Sequence, residues 1–151
     1  MKIPWSGRSH NFDKKDISFL VNIIKEADPL TQGKFLEKFE STFSKYIGKK
    51  NVFAVSSAAA ALEIIALLAD IKKDDEVIIP AHTYCASAIP FARNGAKIIW
   101  ADINFKTRVA DLIDVKRKIT SKTKAIILVH LYGYALDFKE IISYCKKRKI
   151  K

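Results

Sequence analysis

Asp75-Glu76-Val77-Ile78-Ile79-Pro80 is the stretch on which the fold turns. Val77, Ile78 and Ile79 are consecutive, apolar and β-branched, and such residues favour a strand. Pro80 stops it, because proline cannot donate to a ladder. A short strand without polar alternation has both faces buried. That is the pattern of a parallel sheet covered by helices on either side.

The same alternation continues outward. Upstream, residues 51–55 (Asn-Val-Phe-Ala-Val) read as a short apolar strand and residues 58–68 as a helix of good formers. Downstream come a helix over 84–94 capped by Gly95, a strand over 97–101 and a short helix over 112–119. A strand over 125–129 and a helix over 138–148 follow. Four apolar strands separated by helices predict an α/β domain with a mainly parallel sheet and helices on both faces.

The first third of the chain is different. Residues 13–27 place Ile17, Leu20, Val21 and Ile24 on one helical face, and Asp28-Pro29 ends that helix. After the loop Leu30-Thr31-Gln32-Gly33, the residues Phe35, Leu36, Phe39, Phe43, Tyr46 and Ile47 recur at helical steps. Gly48 follows where a C-terminal cap belongs. The expected organisation is a helical segment over 1–48 and an α/β domain over 49–151.

Composition narrows the function classes. Of 151 residues, 49% are apolar and 28% charged, which excludes a wholly disordered chain. No apolar run approaches the roughly 20 residues of a membrane span. Met1-Lys2-Ile3-Pro4-Trp5 lacks the apolar core of a signal peptide, so a cytoplasmic protein is expected. Cys85 and Cys145 have no metal-ligand spacing and are expected to be free thiols. The net charge is +11, and residues 139–151 carry six cations against one acid, Glu140. Cations favour the last turn of a helix, and no DNA- or RNA-binding module is visible, so nucleic acid is not the expected partner.

In sheets of this kind ligands lie beyond the carboxyl ends of the strands. The turns there hold Ser56-Ser57-Ala58-Ala59, Pro80-Ala81-His82-Thr83-Tyr84, Asp102, and His130-Leu131-Tyr132-Gly133. Ser56 and Ser57 open a helix. Free amides and the positive dipole end suit an anion there, and an ordinary serine cap suits the same pattern. The turn has no glycine, so neither a Walker A loop nor a dinucleotide fingerprint is present. Tyr84 can stack on a flat ligand ring or pack the next helical turn. His82 and His130 can act as acid–base groups, join Asp102 at a metal, or serve as hydrogen-bonded structural residues.

Taken together, these segments resemble the DegT–StrS sugar aminotransferases, which are pyridoxal-phosphate enzymes of the aspartate-aminotransferase fold type (fold type I). The resemblance rests on Thr31-Gln32-Gly33 with the helix after it, Val55-Ser56-Ser57 with its Ala-rich helix, and Asp75 to Pro80. It continues through Thr83-Tyr84, Gly95-Ala96, Ala101-Asp102-Ile103, Thr123 to Ile127, and Val129 to Gly133. It implies the N-terminal part of the large cofactor-binding domain, with pyridoxal 5'-phosphate as cofactor. Ser57, Ala58 and Ala59 match the cofactor-phosphate turn. The family usually has Gly-Thr where this chain has Ala58-Ala59, so a threonine hydroxyl is missing and both amides remain. Tyr84 matches the aromatic that stacks on the pyridine ring. Thr31 matches a residue on the substrate side, and His130 lies at the site edge.

The resemblance also implies substrates and partners. These are a nucleotide-linked keto sugar, an amino-acid donor such as glutamate, and a second copy in a homodimer. The pathway implied is amino-sugar or surface-polysaccharide synthesis. No catalytic residue is carried over. The family's Schiff-base lysine and the acid behind its ring nitrogen lie beyond the position matching Lys151, so the chain reads as an N-terminal fragment. The alternatives are a non-catalytic truncated subunit or regulator that binds a full-length homologue, and an unrelated phosphate-binding α/β domain.

Overall fold

The computed structural model describes residues 12–29 and 31–151. The reading of the first five residues as lacking a leader lies outside the described residues. The chain divides into two compact units, Met1–Ala54 and Val55–Lys151.

Among the described residues the first unit holds two helices, α1 (Lys14–Glu26) and α2 (Lys34–Ile47). Asp13 starts α1 with a capping box: its carboxylate accepts from the Lys15 and Asp16 amides at 2.7 and 2.9 Å. Asp16 in turn accepts from the Asp13 amide at 3.0 Å. Gly48, at φ +65, ends α2 in the left-handed conformation that a C-terminal cap requires. Neither helix contains a buried residue.

Residues 51–55 form no strand, contrary to the sequence expectation. Apolar, β-branched composition makes a strand only where a neighbour completes the ladder. Within the first unit the Ala54 amide instead donates to the Glu40 carboxylate of α2 at 2.8 Å, and Phe53 is 79% exposed.

The second unit is the α/β layer structure. It contains α3 (Ala58–Leu68), β1 (Glu76–Pro80), a single 3-10 turn (Cys85–Ser87), α4 (Ile89–Arg93) and β2 (Lys97–Ala101). It continues with α5 (Leu112–Arg117), β3 (Thr123–Ile126) and α6 (Lys139–Arg148). The three strands form a parallel sheet in the order β2-β1-β3. All five residues of central β1 are buried. Its side chains divide between two layers. Val77 and Ile79 pack with Ala66, Ala69, Ile71 and Phe91 from the α3 and α4 side. Ile78 packs with Ala101, Ala110, Val115 and Ile141 from the α5 and α6 side.

Two further segments differ from the sequence expectation. The helix read over 84–94 is split into the 3-10 turn and α4. Pro90 explains the break, because it has no amide to offer a preceding turn and fits only near a helix start. The strand read over 125–129 begins and ends earlier, as Thr123–Ile126, with one further bond from the Ile127 amide to the Ile78 carbonyl at 2.9 Å. On the other edge of β3, Lys151 accepts from the Ile126 amide and donates to the Lys124 carbonyl, both at 3.0 Å. That pair of bonds is a parallel bridge, so the backbone at Lys151 has already joined the sheet.

Two side-chain positions make testable demands. Gly95 sits at φ +87, and a Cβ there would lie 3.0 Å from the Lys73 Cα. Gly95→Ala is expected to destabilise the second unit by about 1–2 kcal/mol, measured by urea denaturation. Asp114 is only 5% exposed. A hydrogen bond from Lys118, then one from the Asp102 amide, hold its carboxyl at about 2, below the ordinary 3.8, against the opposing effect of burial. A lowered folded pKa means that the stabilisation is complete above about pH 4 and lost as the pH falls through about 2. Asp114→Asn is expected to flatten the fall in urea midpoint between those two pH values, while lowering the neutral-pH midpoint.

Candidate functional site

The carboxyl ends of the strands are where backbone order gives way to turns. At the end of β1, Ala81 donates to the Ala101 carbonyl at 2.9 Å, which keeps the turn against β2 for one more residue. The chain then leaves the sheet through His82, Thr83 and Tyr84. Thr83 and Ser87 join their hydroxyls at 2.8 Å, and the Ser87 amide donates to the Tyr84 carbonyl. This fixes the Tyr84 backbone while its side chain stays 75% exposed. The Cys85–Ser87 turn packs against α3.

Ser57 caps α3. Its hydroxyl accepts from the Ala60 amide at 3.1 Å, and its carbonyl accepts from the Ala61 amide at 3.1 Å. The Ala58 and Ala59 amides fall in the first turn, where a helix has no carbonyl to offer them. Both residues are exposed, and their methyl side chains leave the helix end open. An 11-residue helix ending in uncovered amides presents a partial positive charge, and the residues suit a phosphate.

His130 has a defined structural task. Its Nδ1 accepts from the Leu136 amide at 2.9 Å, and its ring lies 5.5 Å from that of Phe138. An accepting Nδ1 carries no proton, so the ring proton of the neutral form is on Nε2. The histidine thereby closes the turn over residues 130–136. Thr31 lies in the exposed loop before α2, within the first unit.

A group outside the expected site residues also meets at this edge. The His82 ring lies 5.7 Å from that of Tyr132, and its Nδ1 is 3.4 Å from the Arg108 carbonyl. The Arg108 guanidinium covers the Phe105 ring at 4.3 Å. Thus the turns after β1, β2 and β3 touch. His82 was visible in the sequence as a strand-end residue. Arg108, six residues past Asp102, gave no signal, because only the return of the chain through an Ile103–Ala110 bridge brings it back. Asp102 is engaged through its backbone, and among the described residues no three His, Cys, Asp or Glu side chains form a group that could hold a metal ion. Cys85 and Cys145 are free thiols, the second raised in pKa by burial.

Comparison with known proteins follows the same lines. A profile of the DegT/DnrJ/EryC1/StrS aminotransferase family matches residues 11–151. The chain is 36% identical over 138 residues to the dTDP-3-amino-3,6-dideoxy-alpha-D-galactopyranose transaminase of Aneurinibacillus thermoaerophilus, covering 91% of this chain and 38% of that protein. It is 33% identical over 135 residues to the GDP-perosamine synthase of Vibrio cholerae, covering 89% and 37%. The structure matches that of the E. coli GDP-4-keto-6-deoxy-D-mannose-3-dehydratase with bound hydrated PLP at a TM-score of 0.85 and 27% identity, covering 94% and 38%. The chain therefore spans less than two fifths of the length of each of these proteins.

The geometry at His130 makes a prediction of its own. His130→Leu leaves the Leu136 amide without its acceptor and is expected to cost about 1 kcal/mol locally. Hydrogen exchange should quicken at Leu136 and leave the β1 amides unchanged.

Proposed function

The chain belongs to the DegT/DnrJ/EryC1/StrS aminotransferase family, and from that premise we propose that it is the N-terminal part of a pyridoxal-phosphate-dependent sugar aminotransferase. The observation that carries this reading is the open, serine-capped N-terminus of α3 in the same unit as a fixed, exposed Tyr84, which leads from β1 into the 3-10 turn that packs against α3. Ser57, Ala58 and Ala59 hold the cofactor phosphate through the helix-end amides, without the threonine hydroxyl usual in the family. Tyr84 lays its ring on the pyridine face, where stacking adds about 0.5–1.5 kcal/mol beyond simple burial.

Pyridoxal phosphate supplies, when bound, an electrophilic aldehyde on an electron-accepting ring. What this chain does is bind and orient. Its strand-end turns offer Ser, His, Thr, Tyr, Asp and Arg, and one lysine, the exposed Lys106 at the tip of the turn after β2. In this reading the lysine that anchors the cofactor, and the acid behind the ring nitrogen, belong to the remainder of a longer protein. The substrates are an amino-acid donor and a nucleotide-linked keto sugar, with His130 on the sugar side, in a cytoplasmic homodimer. Curated relatives named for dTDP- and GDP-linked sugars support that substrate class. No helix among the described residues is long and apolar enough to cross a membrane.

Titration with inorganic phosphate and with pyridoxal phosphate tests the assignment. Amide shifts are expected at residues 57–60. Tyr84→Ala should weaken pyridoxal phosphate several-fold and leave inorganic phosphate unaffected, while Tyr84→Phe should change neither. Shifts confined to the basic residues 146–151 would overturn the reading.

A further inference from the structure

We propose that Asp114 is a positioning residue, whose carboxylate holds the whole Asp102–Asp111 excursion, and through it the Arg108 carbonyl and His82, in place at the carboxyl edge of the sheet. The inference stands on the geometry of the second unit and does not depend on which group that edge binds.

The argument starts at the buried carboxylate. Asp114 Oδ2 accepts from the Asp102 amide at 2.7 Å and from Lys118 Nζ at 2.7 Å, and Oδ1 accepts from Arg117. The same Lys118 ammonium donates to the Trp100 carbonyl at 2.7 Å. α5 and its C-cap residue Lys118 thus grip the chain at two backbone positions, Trp100 in β2 and Asp102 just past it. Burying a charge costs more than burying an apolar side chain of the same size, unless its partners are all in place. An apolar residue would fasten α5 to the sheet with less desolvation, but it could not hold a backbone amide. The carboxylate does what greasy packing cannot: it fixes the direction in which the chain leaves β2.

From Asp102 the constraint passes along the excursion. The Asp102 carbonyl accepts from the Asp111 amide at 2.9 Å, so both ends are tied together. Inside, Ile103 and Ala110 form an antiparallel bridge, and the Asn104 amide donates to the Val109 carbonyl at 2.9 Å. Asn104 Oδ1 accepts from the Lys106 and Thr107 amides at 2.9 and 3.2 Å, which shapes the tip. Val109 and Ala110 are buried and anchor the returning limb. Arg108, at φ +62, is thereby held with its carbonyl 3.4 Å from His82 Nδ1, and His82 meets Tyr132. A path of direct contacts therefore joins Asp114, on α5, to turns at all three strand ends.

A residue that only adds stability and one that positions differ in where its loss is felt. Backbone hydrogen exchange and the His82–Tyr132 nuclear Overhauser contact, measured on the 151-residue chain, separate them. Asp114→Leu is expected to raise exchange at the Asp102, Asn104 and Asp111 amides at least tenfold more than at Ile78 and Ile79. The His82–Tyr132 contact should weaken with it. Asp114→Asn keeps an acceptor for the Asp102 amide and is expected to restore most of the protection at Asp102 despite losing the ion pairs. If Asp114→Leu does not fold, Lys118→Met cuts the second grip and should loosen the same three amides to a smaller degree. Uniform acceleration across β1 and the excursion would overturn the proposal. So would an unchanged His82–Tyr132 contact in a variant whose excursion amides exchange freely.

Discussion

Everything in the second unit follows from β1 being buried on both faces. Val77 and Ile79 point into one layer and Ile78 into the other. A strand of this kind cannot lie at a sheet edge or face water, so it needs a strand on each side and helices above and below. β2 and β3 supply the flanks, and the helices supply the covers. Parallel pairing then sends every connection back to the start of the next strand, and leaves all three carboxyl ends together on one edge. The meeting of His82, Arg108 and Tyr132 is a consequence of that arrangement.

Signals confined to a few neighbouring residues were readable in the sequence. The caps Gly48 and Ser57 needed only their own turns, and the structure has both. The strands at Glu76–Pro80 and Lys97–Ala101 were readable because continuous apolar runs bounded by proline or glycine have few other uses. Residues 51–55 are similarly apolar and are not a strand. Their failure shows what composition leaves out: a ladder is a property of two segments, and only one of them is written locally. Pro90 was in plain view within the helix read over 84–94, and its missing amide outweighed the helical spacing around it.

The site was legible to the same depth. Ser57 and Tyr84 could be named because each directly follows a strand-to-turn signal. His130 could be named as well, but its engagement with the Leu136 amide depends on how residues 130–136 close on themselves. Arg108 and Asp114 were beyond reach. Asp114 looks like an ordinary acid in the first turn of a short helix, well placed for the helix dipole. Only the fold shows that it faces inward and that its partners include the amide of Asp102, on a different element.

The placement of the cations sharpens the division of labour proposed for this chain. A lysine that reacts with an aldehyde must be desolvated, free of other partners and aimed at the ligand. Lys118 is one of the few half-buried lysines near a strand end, and its ammonium is committed to Asp114 and to the Trp100 carbonyl. Lys116 is paired with Glu140 on the α5–α6 side. Most of the remaining lysines lie exposed on helices and in loops, including the basic last turn of α6. Holding a phosphate asks much less: uncovered amides at a helix start, which a dozen residues of local sequence provide. Within the proposed reading, this stretch of chain therefore contributes the binding half of the site, because binding needs only local geometry. The reacting half needs a buried, unpaired amine, and none of the ion-paired or exposed lysines named above among the described residues is one.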